Sequence, residues 1–439
     1  MRNYEKEILS EVCELVRIPS VSTDKENVHR ALEYTLNLGK KIGFNVKYCA
    51  DDSVGVIEWG SGNETLGILC HVDVVPVEPL AEWNTDPFEP KLIDGKLFGR
   101  GTLDDKGMVI ACIYAMKAVA DCGVTPHKKV QLIIGTQEEV KWNDIQKYVN
   151  ECRTPDYGFT PDGEFPIQNI EKGIVDLALV AELNRHDDNE QYGGLHIVSL
   201  DAGVMNNSIP SDAKAVLSDG TVICAKGKTC HSSDPENGNN AIFILHDMLS
   251  EYDIVDNAFS DLLNMLTDNF RDYFGKNLDV YQEKETYNGF YVHRSTFVPT
   301  VIHTTGNRIE AVLDVRFAYG TRSSDIIDCI TKKGNEIGFN TRVLEELPAV
   351  FVPENKPFLS LCAEAYERVT GLKNEFTMAS GGSYAKAMAD IVSWGPLFPG
   401  DIDTCHEPNE FIELDNLYKC FSVYKEAILQ IVSTDKSLK

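Results

Sequence analysis

The sequence lacks a hydrophobic run long enough to cross a membrane, since no apolar stretch reaches the roughly 18 residues that a transmembrane helix needs. The amino-terminal segment alternates charged and apolar residues at helical spacing, without the apolar centre of a signal peptide. CxxC pairs are also absent, and the 12 cysteines are scattered over 439 residues, unlike the dense framework of a small secreted domain. These absences predict a cytoplasmic protein with free thiols and no membrane association.

Positive charge is scarce as well. The chain has 41 Lys+Arg against 68 Asp+Glu, which gives a net charge of −27. A surface of that sign repels phosphate backbones, so we expect no nucleic-acid partner. The acidic residues are spread along the chain rather than collected in a tail, and 43% of the residues are hydrophobic. This composition predicts a folded protein whose acidity favours solubility.

The order of hydrophobic segments predicts an α/β fold. Residues 66–72 (LGILCHV) and 130–136 (VQLIIGT) have the length and composition of strands. Between them, residues 107–123 are typical of a buried helix with Gly123 as its C-terminal cap. Strand, helix and strand in that order indicate a sheet whose strand ends are available for chemistry.

The chain is predicted to form two domains, one interrupting the other, because 439 residues exceed one ordinary core. The pattern of elements changes near a polar, loop-like stretch at 182–196, and prolines punctuate residues 348–357. We therefore expect a mixed-sheet α/β domain over 1–178 and 355–439, interrupted by an inserted α+β domain over 179–354.

Five short clusters contain acids and histidines: HVDVVP (71–76), GRGTLDDKG (99–107), GTQEEVKW (135–142), FTPDGEFP (159–166) and DTCHEPNEF (403–411). Most have a structural explanation when taken singly. Asp104 and Asp105 suit a helix cap, and Asp162 in a Pro-Asp-Gly sequence suits a turn. Glu138 and Glu139 are harder to explain structurally, because adjacent carboxylates at a strand end repel each other unless a cation or a shared proton reduces the repulsion.

Taken together, the clusters indicate a metal site. Two histidines and several acids supply the nitrogen and oxygen ligands that zinc, cobalt or manganese accept. A metal-bound imidazole needs its other ring nitrogen fixed, and Asp73 lies two residues after His71. His406 and Glu410, four residues apart, fit either one helix surface or a loop ligand followed by a helix cap.

The order and content of these motifs resemble the M20 family of metallopeptidases, and within it the dipeptidase V and carnosinase-like branch. The resemblance also includes WNTDPFEP (83–90), GKTCHSSDPENGNNA (227–241) and GGSYAKAM (381–388), so it covers nearly the whole chain. It implies a di-metal catalytic domain, an inserted lid domain, and hydrolysis of small peptides, specifically dipeptides with a free N-terminus. It also implies two divalent ions, with Zn2+ expected first and Mn2+ or Co2+ as alternatives.

The resemblance assigns five ligands to two ions: His71 and Asp162 to one, Glu139 and His406 to the other, and Asp104 to both. Asp73 would orient His71. Glu138 would be the general base that acts on the water between the ions. A cis peptide bond between Asp104 and Asp105 is also implied.

The inserted domain would contribute three residues that face the substrate: His231 at the oxyanion, Asn207 beside it, and Arg316 at the C-terminal carboxylate. On the residues alone, an arginine in a strand fits a structural salt bridge equally well. Gly381, Gly382 and Ser383 would add donors to the same carboxylate. This loop departs from the family pattern at Ser380, which leaves the side-chain preference open.

Two other functions share these motifs. An M20 aminoacylase or N-acyl amino acid deacylase would use the same metal chemistry, and a catalytically silent peptide-binding protein would keep the scaffold. The intact Glu138 and ligand set favour an enzyme. An insert of about 175 residues is domain-sized and, by resemblance, large for a dimerising lid, so we expect a monomer.

Overall fold

The chain forms two compact units in the computed structural model, which describes residues 4–183, 194–379 and 381–439. Unit one consists of Met1–Glu171 and Val350–Lys439, and unit two of Lys172–Ala349. Both divisions precede the predicted ones. The strand Gly173–Glu182 pairs with two strands of unit two, and the strand Val350–Phe351 pairs with Ile170 and Glu171 of unit one. The predicted loop at 182–196 falls largely on residues 184–193, which lie outside the described residues, as does Ser380.

Helices and strands alternate through both units. The α-helices are, in chain order, α1 (Glu5–Val16), α2 (Lys25–Lys41), α3 (Lys106–Asp121), α4 (Asn143–Glu151), α5 (Ala241–Leu249), α6 (Ala258–Phe270), α7 (Ser323–Glu336), α8 (Pro357–Thr370) and α9 (Leu414–Ser433). Short 3₁₀ helices span Leu80–Glu82, Pro235–Asn237 and Tyr384–Ala387. Within the described ranges, no helix combines the length and apolar character that a membrane span requires.

The strands divide between the two units. Those of unit one are β1 (Asn45–Cys49), β2 (Val54–Gly60), β3 (Thr65–His71), β4 (Lys91–Ile93), β5 (Lys96–Phe98), β6 (Lys129–Gly135), β7 (Tyr157–Thr160), β8 (Gly163–Glu164) and β9 (Gln168–Glu171). Unit two contains β10 (Gly173–Glu182), β11 (Ile197–Ala202), β12 (Asp212–Leu217), β13 (Val222–Lys226), β14 (Thr286–Tyr287), β15 (Phe290–Tyr291), β16 (Thr296–Thr305), β17 (Arg308–Phe317) and β18 (Asn340–Leu347). Unit one resumes with β19 (Val350–Phe351), β20 (Thr377–Ala379), β21 (Ile391–Ser393), β22 (Pro396–Leu397) and β23 (Phe411–Glu413).

The largest sheet of unit one has parallel strands at its centre. Its order is β1-β2-β6-β3-β7-β21-β9-β19, with β20 paired to β9. Strand β3 runs parallel to both β6 and β7, which confirms the predicted strand-helix-strand arrangement. The carboxyl ends of these three strands therefore lie at one edge, where open α/β sheets commonly bind ligands.

Helix α3 is buried along most of its length and packs against α1, α9, β3 and β6. Apolar residues from Met108 to Val119 cover its surface and exclude water from it. Gly123 follows the helix with a φ of 71°, a left-handed conformation that glycine adopts at little cost. This packing fixes the position of the amino end of α3, which directly follows Asp104 and Asp105.

Unit two is built on a seven-stranded antiparallel sheet in the order β13-β12-β11-β16-β17-β10-β18. Alternate residues of its strands point to opposite faces. Leu177 and Leu313 belong to the apolar core that the sheet shares with its helices. Asp176, Asp314 and Arg316 lie at the intervening positions. The α+β class predicted for the insert is confirmed.

The sequence pattern also predicts a helix at residues 383–390, and this prediction is wrong. Residues 383–390 form only a single 3₁₀ turn at Tyr384–Ala387 rather than an α-helix. Asp390 adopts a left-handed φ of 56°, and the chain then enters the short buried strand β21. The apolar residues that suggested a helix are therefore buried as part of a turn and a strand instead.

Candidate metal centre

The carboxyl edge of the unit-one sheet gathers the predicted ligands. His71 is the last residue of β3, Glu139 follows β6, and Asp162 follows β7. Asp104 precedes α3, and His406 lies between β22 and β23. Each ligand comes from a different segment of unit one.

Asp104 lies between two histidines. Its Oδ1 is 3.0 Å from His71 Nε2, and its Oδ2 is 3.2 Å from His406 Nε2. His406 Nε2 is also 3.0 Å from Glu139 Oε2, and His71 Nε2 is 3.8 Å from Asp162 Oδ2. The candidate ligand atoms form two sets, and the atoms of each set lie within 4.8 Å of one another. One set belongs to His71, Glu138 and Asp162, and the other to Asp104, Glu139 and His406.

His71 Nε2 and Asp104 Oδ1 are 3.0 Å apart but lack the geometry of a hydrogen bond, and among the described residues Glu138 Oε1 has no hydrogen-bond partner either. Burial and repulsion from Asp162 raise the pKa of Glu138 well above its usual range. Burial, reinforced by Asp104, raises the pKa of Asp162 to about 7. A cation would relieve this crowding of carboxylates, and the nitrogen and oxygen donors suit a divalent metal ion.

Asp73 contacts two segments of the site. His71 Nδ1 is 3.0 Å from the carbonyl oxygen of Asp73 and 3.5 Å from its Oδ1. The Asp73 carboxylate accepts hydrogen bonds from the backbone N–H groups of Glu138 (3.2 Å) and Glu139 (3.3 Å). The sequence predicted the contact with His71 but not that Asp73 also holds the backbone of the two glutamates.

Asp105 precedes α3 without capping it. Its side chain makes no capping hydrogen bond, and its Oδ2 accepts the backbone N–H of His71 at 3.1 Å. The peptide bond between Asp104 and Asp105 is cis, as the family resemblance implies. The helix-cap explanation of Asp105 is therefore wrong, and this residue connects the start of α3 to the end of β3.

Two residues near the site were missed by the sequence reasoning. Asp144 is buried, and its Oδ2 accepts the backbone N–H groups of Thr136 (2.6 Å) and Gln137 (3.0 Å) and the hydroxyl of Tyr384 (2.8 Å). The Tyr384 ring stands edge-on to His71, with 6.3 Å between centroids. An aspartate in the first turn of a helix is ordinary, so nothing in the sequence around Asp144 indicated this contact.

A cavity of about 190 Å³ adjoins the candidate ligands. Its lining includes Asp104, Glu138, Asp162, His406, Gly381, Gly382 and Ser383. The Ser383 hydroxyl and backbone N–H both donate to the buried carboxylate of Glu171, at 2.7 and 3.3 Å. The predicted glycine loop therefore reaches the cavity, but both donors of Ser383 are already engaged.

Within unit two, His231 and Asn207 lie on adjoining segments. The backbone oxygen of Asn207 accepts the N–H of Ser232 at 2.9 Å. The backbone N–H of Ser233 donates to His231 Nδ1 at 3.1 Å, so this nitrogen is an acceptor. Burial and the charge of Arg316 lower the pKa of His231. The neutral ring then carries its proton on Nε2.

Arg316 forms a two-point ion pair with Asp314. Nε donates to Oδ1 at 2.9 Å and NH2 donates to Oδ2 at 2.7 Å. The salt bridge expected from the residues alone is thus present. NH1 takes no part in this pair, so the guanidinium retains donors for a second carboxylate.

The classification follows from the family model for peptidase family M20/M25/M40, which matches residues 67–430. The chain belongs to this family. The predicted M20 membership is confirmed, and this M20 member is a peptide-bond hydrolase with two clusters of candidate metal ligands.

Individual relatives extend the match over nearly the full length. "Putative dipeptidase YtjP" of Bacillus subtilis (strain 168) is 31% identical over 465 residues, covering 97% of each chain. Aminoacylhistidine dipeptidase from Vibrio alginolyticus has a TM-score of 0.69 at 14% identity, covering 97% of this chain and 96% of that one. Human carnosine dipeptidase 1 has a TM-score of 0.66 at 15% identity, covering 98% and 97%. The structural matches show a shared fold.

Proposed function

We propose that this M20 member is a two-metal dipeptidase that hydrolyses dipeptides with a free N-terminus. The observation that carries the proposal is the placement of Asp104, whose two oxygens face His71 and His406 at 3.0 and 3.2 Å. The relative YtjP is named as a dipeptidase, and so are the two structural neighbours, which supports this substrate class.

The proposed ligand assignment divides five residues between two ions: His71 and Asp162 on one, Glu139 and His406 on the other, and Asp104 on both. Divalent ions held there supply Lewis acidity and lower the pKa of water in the site. Zn2+ is the proposed metal, because the ligands are imidazoles and carboxylates, and Mn2+ and Co2+ accept the same donors.

Glu138 is assigned to proton transfer although its carboxylate also falls within reach of His71 and Asp162. Glu139 is engaged by His406, whereas Glu138 Oε1 has no hydrogen-bond partner. The raised pKa of Glu138 also suits a group that accepts a proton and releases it again. It would take the proton of the attacking water and pass it to the departing amine.

The roles proposed for unit two follow from the chemistry of its side chains and the family resemblance. A neutral His231 with its proton on Nε2 can donate to the oxyanion, and such a donor is worth roughly 2.7–4 kcal/mol. Arg316 would bind the C-terminal carboxylate of the substrate, with Asn207 beside the reacting group. Gly381 and Gly382 would contribute backbone donors.

A panel of substrates tests the proposal. Metal-reconstituted enzyme is assayed against free dipeptides including β-Ala-His, their N-acetylated forms and tripeptides. A dipeptidase hydrolyses the free dipeptides and leaves the blocked ones intact. Preferential release of acetate from the N-acetylated forms would instead establish an N-acyl amino acid deacylase.

A further inference from the structure

Glu410 is a fully buried carboxylate in the segment that also contains His406. It accepts hydrogen bonds from four groups of the loop before α3: the N–H of Gly101 (3.0 Å), Leu103 (2.8 Å) and Asp104 (3.1 Å), and NH1 of Arg100 (2.7 Å). The sequence left open a shared helix surface or a loop ligand followed by a helix cap. His406 does lie in a loop, but Glu410 precedes β23 and caps no helix. The carboxylate instead occupies the centre of a loop of backbone donors.

These bonds determine the backbone position of Asp104. Residues 100–104 lie outside any helix or strand, so the N–H groups of Gly101, Leu103 and Asp104 have no partner in a helix or a sheet and depend on Glu410. Hydrogen bonds to a charged acceptor are about twice as strong as neutral ones, and burial strengthens them further. The carboxylate of Asp104 therefore projects from a backbone that Glu410 holds in place.

The same segment is fixed at other points. The carbonyl oxygen of Glu410 accepts the N–H of Gly99 at 3.0 Å. The Asn409 side chain accepts the N–H of Asn84 at 2.6 Å and donates to the carbonyl oxygen of Glu82 at 2.8 Å. His406 and Asn409 have φ values of 64° and 63°, a left-handed conformation that non-glycine residues rarely adopt without external support.

Arg100 completes the network as the counter-ion of Glu410. Its guanidinium also lies over the Trp83 ring, 5.2 Å from the centroid, and NH2 donates to the carbonyl oxygen of Pro76 at 3.4 Å. The buried charge of Glu410 is thus compensated by one cation and three backbone N–H groups. Such a compensated carboxylate can remain ionised inside the protein.

We propose that Glu410 is a positioning residue chiefly for the ion assigned to Glu139 and His406, which shares Asp104 with the other ion. It joins the Asp104 loop and the His406 segment into one rigid element, which sets the 3.2 Å separation of Asp104 Oδ2 and His406 Nε2. His71 ends β3 and Asp162 follows β7, and neither makes a hydrogen bond to Glu410. Loss of Glu410 should therefore weaken one ion more than the other. This inference rests on the proposed two-metal function.

The test compares Glu410→Gln with the wild-type protein in its full-length, metal-free form. Co2+ is titrated by calorimetry and by visible absorption, and bound metal is counted by elemental analysis. Two binding events are expected for the wild type. In Glu410→Gln, the dissociation constant of one event should rise by about 10–100-fold, the range for loss of a residue that supports metal ligands. The other should rise by less, because that ion shares Asp104 but not His406.

Glu64→Gln is the matched control. Glu64 is another buried carboxylate of unit one, and it accepts the N–H of Leu438 and the hydroxyl of Tyr157, both at 3.1 Å, far from the candidate ligands. Its replacement should lower stability without changing either Co2+ affinity. At saturating metal, Glu410→Gln should lower kcat more than it changes KM, and Glu64→Gln should change neither.

Equal weakening of both ions, or of neither, in Glu410→Gln overturns the inference. Glu410→Asp, which keeps the charge but shortens the side chain, should also weaken one ion selectively, and it replaces Glu410→Gln if that variant does not fold. If the wild type binds two ions but cleaves no dipeptide, the proposed function fails while the inference about Glu410 is still decided by the titration.

Discussion

Asp73 Oδ1 accepts the backbone N–H of Glu138 at 3.2 Å, although 65 residues separate the two in the chain. The contact exists because β3 and β6 are parallel neighbours, so the loops that leave them meet at the same edge. The backbone of Glu138 is thereby held independently of its own carboxylate. Replacing the Glu138 side chain should for this reason leave the adjacent Glu139 in position.

Glu138→Ala should lose nearly all turnover while the protein still binds two metal ions. General-base catalysis typically contributes about 10²–10⁴-fold to the rate, and the five proposed ligands are unchanged. The measurements are kcat with a free dipeptide and metal content by elemental analysis. Glu138→Gln, which preserves the volume, should behave in the same way. Retained turnover in either variant would remove Glu138 from the role of base.

Metal binding to the metal-free protein should release protons and strengthen as the pH rises through about 7. Burial and the charge of Asp104 raise the pKa of Asp162 to about 7, so below that pH an incoming cation must displace its proton. Above that pH the carboxylate is already ionised, and this cost disappears. Hydrogen bonds to Asp104 and Glu139 raise the pKa of His406 to about 11, so its proton is displaced at neutral pH as well.

Calorimetry of metal binding in buffers with different ionisation enthalpies measures the released protons directly. The number released per chain should fall as the pH increases across the pKa of Asp162. An affinity that is independent of pH would show that Asp162 does not ligate the metal.

Tyr384→Phe should reduce both stability and turnover. The hydroxyl donates to the buried Asp144 at 2.8 Å, and loss of such a bond costs about 1 kcal/mol. Asp144 also holds the backbone of Thr136 and Gln137, directly before the Glu138 loop, so we expect kcat to fall by up to about tenfold.

Tyr424→Phe is the matched control for Tyr384→Phe. Its buried hydroxyl donates to the carbonyl oxygen of Trp394 at 2.9 Å, outside the hydrogen-bond network of Asp144. Urea unfolding should show a similar loss of stability in both variants, whereas only Tyr384→Phe should lower kcat. Equal turnover in the two would restrict Tyr384 to a packing role.

Arg316→Lys should raise KM by about tenfold with little change in kcat, the equivalent of one charge-assisted hydrogen bond. Lysine can keep the ion pair with Asp314. Its single ammonium group lacks the further N–H donors with which a guanidinium could also bind the carboxylate of the substrate. Arg308→Lys is the control, because Arg308 lies on the same strand and pairs with Glu310 near the surface. An unchanged KM in Arg316→Lys would show that Arg316 does not bind the substrate and serves only in the ion pair with Asp314.

The protein should sediment with the mass of a single chain at micromolar concentration. Unit two has its own apolar core and forms a complete seven-stranded sheet, so it can fold without a second copy. By the family resemblance, an enlarged lid supplies His231 to its own chain. A sedimenting species of twice the single-chain mass would contradict this expectation.

Periodicity and motif order predicted the elements that surround the metal ligands. Strands β3 and β6 and helix α3 were predictable because each is an apolar segment that the fold buries almost completely. His71, Asp104 and Glu139 could be found because they lie at or near the ends of those segments. The 3₁₀ turn at Tyr384–Ala387 was not predictable, since its apolar residues have no period that separates a turn from a helix.

Long-range contacts account for the rest of what the sequence did not reveal. Asp144 and Tyr384 are 240 residues apart, and Glu410 reaches a loop more than 300 residues earlier in the chain. Neither pairing has a local pattern, because each depends on how strands from both segments of unit one are ordered in a sheet. The first division, after Glu171, lies before the predicted one for a related reason: β10 pairs with β17 and β18 of unit two, and these pairings are also long-range.

Because unit two is inserted into unit one, the candidate metal-ligating residues are translated in two groups. His71, Asp104, Glu139 and Asp162 are translated first, then all of residues 172–349, and His406 only near the end. A nascent chain that has completed unit two still lacks β19 to β23, α8 and α9, so unit one cannot finish folding until about the last fifth of the chain is made. A chain that ends between residues 350 and 405 would contain all of unit two but lack His406, and we expect it to bind metal more weakly than the full-length protein.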